Sequence, residues 1–108
     1  MPFLDVKASC EITPAQELEL KTELGRLISL IPGKSEGALM ISFTDHCRLW
    51  FGGEQETPIA MVKAMIYGSA SPESSSAFGD AVVELFQRVL GVKHMYFKLE
   101  DGTDWCWN

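Results

Sequence analysis

The chain has 108 residues, 46% hydrophobic and 22% charged, with a net charge of −6 and a pI near 4.8. That balance fits one small globular domain, 1–108, and no apolar run reaches bilayer-spanning length. The acidic charge argues against partners that demand basic patches, so neither nucleic acid nor a membrane is expected.

Pro2 is the first informative residue. Initiator methionine is commonly removed before a small second residue, which would leave Pro2 with a free secondary amine. While Met1 remains, that nitrogen is an amide and no base. By residue type alone, Pro2 reads as a proline tolerated at a strand start, with no chemistry. Residues 3–8 alternate, with Leu4, Val6 and Ala8 facing one way and Asp5 and Lys7 the other, which predicts a strand. Thr13-Pro14 is a helix cap followed by proline at the first helical position, and Gln16 completes a capping box. Leu20, Leu24, Leu27, Ile28 and Ile31 form one apolar stripe, and Gly33 is expected to end this helix.

Residues 38–44 read as an apolar strand, and 49–51 as a short strand ended by Gly52-Gly53. A long strand is predicted over 59–67, between Pro58 and Gly68. Ser71-Pro72 opens a second helix and Gly91 closes it. Its stripe is Phe78, Val82, Leu85, Phe86 and Val89. His94 reads as a loop residue, 95–99 as a strand, and Trp105-Cys106-Trp107 as one more short strand.

The caps, stops and stripes of the two helices are each 58 residues apart. The chain therefore reads as two β-α-β units, about 2–57 and 58–108. The expected fold class is α/β (α+β): a four-stranded mixed sheet with two helices on one face. Met40, Met61, Met65 and Phe97 cannot all face water, so a homo-oligomer should cover the other face. Trp50, Trp105 and Trp107 read as core or interface fillers.

Cys10, Cys47 and Cys106 are odd in number and widely spaced, as suits reduced thiols in the cytoplasm. No secretory leader is visible, so any secretion would proceed without one. Asp45-His46-Cys47 offers three ligand types, but neighbouring strand residues point to opposite faces, so no metal site is expected. Two histidines do not assemble a hydrolytic triad.

Taken in order, Pro2, Gly33-Lys34, Phe51-Gly52-Gly53, Gly68, Met95-Tyr96 and Trp107-Asn108 resemble the macrophage migration inhibitory factor family of the tautomerase superfamily. The resemblance covers nearly the whole chain. It implies a homotrimer with active sites at subunit boundaries and no cofactor. It implies Pro2 as the catalytic base and Lys34 as the group that holds a substrate carboxylate. Tyr67 takes the position whose backbone helps hold the substrate, and Tyr96 lines the pocket of an adjacent subunit. Phe3, Tyr96 and Trp107 would supply apolar surroundings, and Lys34 and Lys98 nearby cations, both of which favour a neutral amine.

Departures from the family pattern also stand out. Lys98 replaces a common asparagine and would add a second cation. Tyr67 replaces a smaller aliphatic residue. The chain stops at Asn108, short of the tail of some relatives. Ile59-Ala60-Met61-Val62 stands where some members carry Cys-x-x-Cys.

Without the resemblance, Lys34 is a solvated lysine favoured by a helix C-terminus. Lys98 faces solvent as readily as a ligand, and both tyrosines are half-buried strand aromatics. The expected activity is cofactor-free keto–enol tautomerisation of a 2-keto acid such as phenylpyruvate. The first alternative is a cytokine-type binding protein with a vestigial site, meeting a cell-surface receptor if secreted. Another proton-transfer or hydrolytic reaction run from Pro2 is the third reading.

Overall fold

Alternation in the first strand sets the sheet. The computed structural model describes residues 1–55 and 58–108. The expected junction of the two units, at 57/58, lies partly outside them. Strand β1 (Pro2–Ala8) buries Leu4, Val6 and Ala8. Helix α1 (Pro14–Leu27) opens on a complete capping box. Gln16 N–H donates to Thr13 Oγ1 at 3.2 Å, and Thr13 N–H donates to Gln16 Oε1 at 3.0 Å. The same Gln16 reaches the Val89 carbonyl at 3.3 Å, tying the two helices together.

Helix α1 does not run to Gly33. It gives way to a 3-10 turn at Ile28–Leu30, and Ile31 is extended at φ −90° and ψ 115°. The cause is Pro32, whose ring disfavours helical backbone in the residue before it. Gly33, at φ +83°, then turns the chain. Lys34 N–H donates to the Ile31 carbonyl at 3.1 Å. Ile31 stays fully buried, so the apolar stripe outlasts the helix that displays it.

Strand β2 (Met40–Thr44) is shorter than 38–44, because Glu36–Ala38 forms another 3-10 turn. Residues 49–51 form no strand. Phe51 makes only an isolated bridge to Glu54 around Gly52-Gly53, since a strand needs a neighbouring strand to pair with. Strand β3 (Ile59–Tyr67) matches its predicted bounds, and Gly68 closes it at φ +95°. Helix α2 (Pro72–Leu90) is capped by Ser71 and ends on left-handed Gly91 at φ 66°. Strand β4 (His94–Gly102) outruns 95–99 and takes in His94, so His94 is not a loop residue. Residues 105–107 carry no strand.

The sheet order is β2-β1-β3-β4, with β1–β2 and β3–β4 parallel and β1–β3 antiparallel. Both parallel pairs are joined through a helix, the connection such pairs require. One side of the sheet carries the helices and the core of Leu4, Val6, Val62, Ala64, Ile66, Phe78 and Phe86. Phe97 belongs to this side, not to the open one. Its ring meets Phe78 edge-on at 5.5 Å, and a Cβ on Gly79 would lie 2.8 Å from it.

The open side is a mixed surface. Met40 is 67% exposed and Tyr96 65%. Asp5, Lys7, Lys63 and Glu100 form ion pairs there at 3.6 Å, so it is less apolar than the methionines suggest. Trp50 and Trp107 are exposed, not core. Among the described residues, no helix is long and apolar enough to cross a membrane.

Phe78 anchors α2 to β4 and is fully buried. Phe78→Ala should therefore destabilise the fold by about 3–5 kcal/mol, read as a lower denaturation midpoint in urea. A loss under 1 kcal/mol would contradict this packing.

Candidate active site

Strand register builds the site. Pro2 lies opposite Ile66 across the antiparallel β1–β3 pair. One step further out, Met1 meets Tyr67, and Tyr67 N–H donates to the Met1 carbonyl at 3.0 Å. The Tyr67 carbonyl, on the same edge of the strand, accepts from Lys34 Nζ at 2.6 Å. The turn that Pro32 and Gly33 impose delivers that lysine. Pro2, Lys34 and Tyr67 are thus gathered at one end of the sheet, although 33 residues separate the last two.

Burial and the Lys34 charge both push the pKa of the Met1 amine below its ordinary value, burial more strongly. A cation beside an amine disfavours a second positive charge. Pro2 lies one residue deeper along the strand. Pro2 itself is buried.

Aromatic surface adjoins this cluster. Trp107 meets the Tyr67 ring edge-on, with centroids 5.6 Å apart and planes at 75°. Phe3, by contrast, points to the open face, where its partners are Met40 and Met65. Successive strand residues face opposite ways, so Phe3 does not share the side that Pro2 takes.

Tyr96 and Lys98 are not gathered with Pro2 in one chain. Lys98 is in register with Lys63 and Asp5, and Tyr96 with Met61 and Lys7. At the rise of a strand, those rows lie roughly 10 and 17 Å along the sheet from Pro2. Tyr96 instead tilts against Phe51 at 5.8 Å, and Phe51 stacks on His94 at 4.2 Å. Both residues are exposed on β4, one of the two edge strands of the sheet.

Two cavities lie away from this cluster. One of 360 Å³ opens over Met65, Ile66 and Trp105 with the carboxylates Glu100, Asp101 and Asp104, and its lining includes none of Pro2, Lys34 and Tyr67. Another, of 610 Å³, lies between α1 and β2 over Leu18, Leu39 and Phe43. Of its charged groups Glu17, Lys21 and Glu36, the last two pair at 3.5 Å, and its lining includes neither the amine nor Lys34. The candidate chemistry is at the strand end and not in the groove between α1 and β2.

The resemblance pointed to the Tyr67 backbone, but residue reading missed its Met1 partner. Both are backbone groups, and only the β1–β3 register brings them together.

Known structures share this architecture. A migration inhibitory factor of Leishmania major, MIF2, superposes with a TM-score of 0.91 at 22% identity, over 100% of this chain and 94% of that one. The chain has the fold of macrophage migration inhibitory factor and the tautomerase superfamily. The migration inhibitory factor fold recurs in a fused 4-OT symmetric trimer at TM-score 0.81 and 14% identity, covering 94% of this chain and 87% of that one. It recurs again in Pt0534, solved as inactivated by 2-oxo-3-pentynoate, at TM-score 0.77 and 14% identity, covering 92% and 84%. No family profile and no curated protein matches the sequence.

Within this migration inhibitory factor fold, Lys34 is the charge acting on the N-terminal amine. Lys34→Ala should raise the amine pKa toward its ordinary value of about 8. The pH dependence of amine acylation in the Met1-bearing protein reads this. An unchanged midpoint would mean that burial alone lowers it.

Proposed function

We propose that this protein is a cofactor-free keto–enol tautomerase of 2-oxo acids, phenylpyruvate among them, with Pro2 as the base once Met1 is removed. One observation carries the reading. The Tyr67 N–H holds the Met1 carbonyl, and Lys34 Nζ is bound to the same residue's carbonyl. Without Met1, that N–H is a free donor beside an ammonium and a secondary amine. A carboxylate oxygen is a stronger acceptor than an amide carbonyl. The Met1 carbonyl oxygen thus stands in for an oxygen of the substrate carboxylate.

The steps follow from that placement. Lys34 and the Tyr67 N–H hold the carboxylate, with C3 of the substrate against the Pro2 nitrogen. The amine takes a proton from C3. The freed electron pair forms the C2–C3 double bond, and the C2 oxygen becomes an enolate beside the cation. The proton then passes from the amine to that oxygen, giving the enol and restoring the base. No metal or cofactor is required by these steps.

Only the neutral amine can accept a proton. If burial and the Lys34 charge, which lower the Met1 amine, act likewise on the Pro2 amine, the rate should rise with pH and level off below the ordinary amine value.

A trimer is part of the proposal. Tyr96 and Lys98 reach a Pro2 only from another copy, and the trimeric 4-OT neighbour has the same fold. The mixed open face and the two uncovered sheet edges support the same assembly. A cytoplasmic setting suits the reduced cysteines.

The Met1-bearing form supports a second reading. There the Pro2 nitrogen is an amide and the Met1 carbonyl occupies the Tyr67 N–H. Such a chain would be a binding protein of this fold, with a cell-surface receptor as its partner if secreted.

Pro2→Gly should lower phenylpyruvate turnover about 10²-fold, the lower end of what a positioned base contributes. The alkynyl ketone 2-oxo-3-pentynoate should add to the Pro2 nitrogen. The nitrogen bonds to the terminal-side alkyne carbon and its proton moves to the adjacent carbon. Peptide mass mapping would show one reagent mass on residue 2. Unchanged turnover, or a label elsewhere, would remove Pro2 from the role of base.

A further inference from the structure

We propose that Glu36, seated in the notch that Gly25 leaves on α1, is a positioning residue for Lys34. It fastens the loop that presents the lysine, and this rests on the proposed role of Lys34 as holder of the substrate carboxylate.

Lys34 stands on a thinly held stretch of chain. Its ammonium bonds the Tyr67 carbonyl, while residues 32–33 and 35–38 are all exposed. The backbone bonds of the stretch are local: Lys34 N–H to Ile31, Ala38 N–H to Ser35 and Leu39 N–H to Glu36. Among the described residues, the other polar tie from this loop to a distant element is the Glu36 carboxylate. It lies 3.5 Å from Lys21 Nζ on α1.

Gly25 is what lets the carboxylate reach that place. A Cβ at Gly25 would lie 2.9 Å from Glu36 Cγ and nearer still to the carboxylate. Glu36 therefore occupies the space that a larger residue 25 would need. Glycine weakens a helix relative to alanine, so the notch costs α1 stability and serves the loop. Ser35 is extended, at φ −151° and ψ 166°, and links the seated Glu36 directly to Lys34. Lysine carries its charge on a flexible four-carbon stem. Fixing its backbone leaves less freedom to lose when a carboxylate binds.

Gly25→Ala evicts the Glu36 carboxylate without changing any charge. Only the far end of a flexible side chain must move, so the urea midpoint should hold or rise. Phenylacetate, a carboxylate that does not react, should bind about two- to fivefold more weakly by isothermal titration, the range of one exposed ion pair. KM for phenylpyruvate should rise by a similar factor, with kcat changed less. In the Met1-bearing protein, the acylation midpoint of the amine should move up toward about 8, because Lys34 is less often beside it. Glu36→Ala removes a negative charge, which by charge alone would strengthen anion binding. It should weaken phenylacetate binding instead, and adding Gly25→Ala to it should change nothing further.

If phenylpyruvate is not turned over even by the unmutated protein, but phenylacetate binding and the amine midpoint follow the variants, the clamp stands and the Pro2 base falls. Unchanged phenylacetate affinity and amine midpoint in Gly25→Ala would overturn the clamp, as would unchanged or tighter binding in Glu36→Ala. Additive losses in the double variant, or weaker binding together with a lower urea midpoint, would also overturn it. Gly25 would then be a packing requirement of α1 alone.

Discussion

The backbone of Tyr67 is the joint on which the site turns. Its N–H and carbonyl are both engaged, one by Met1 and the other by Lys34. Neither bond survives a change of register. The antiparallel pairing of Pro2 with Ile66 fixes it, and a one-residue slip would expose the buried faces of both strands. Fully buried Leu4, Val62, Ala64 and Ile66 resist that slip. The hydrophobic core thereby positions these backbone groups.

The sheet divides labour between its faces. The helix side is packed with Phe78, Phe86 and their neighbours. The open side mixes methionines with ion pairs between Asp5 and Lys7 and between Lys63 and Glu100. Such a face can line a wet interior between copies more readily than a dry core. Tyr96 and Lys98 lie on that side of the outermost strand, remote from Pro2 of their own chain. A site that needs them is incomplete in one copy, so activity and assembly would stand or fall together.

Much of the fold was legible because local chemistry and global packing agree. Thr13, Gln16 and Ser71 declare helix starts, Gly91 a left-handed stop, and Pro58 and Gly68 the bounds of the long strand. What failed was non-local. The end of α1 depends on Pro32 acting back on Ile31 while burial of the stripe continues past the helix. Residues 49–51 have strand composition but no adjacent strand in one chain. Phe97 looked like an open-face residue by hydrophobicity, whereas strand parity sends it beneath α2. Of the site, Lys34 was legible only through resemblance. The Tyr67 backbone was likewise legible only through resemblance, and its Met1 partner was not legible at all, because a backbone group has no letter in the sequence.

The central claim is that the nitrogen of Pro2, and not a side chain, moves the proton. The most direct measurement is C3 deuterium exchange of phenylpyruvate by two preparations of the same protein, with intact mass defining each as beginning at Pro2 or at Met1. The account predicts exchange by the chain that begins at Pro2 and none above the uncatalysed rate by the chain that retains Met1. Equal exchange by both would contradict it.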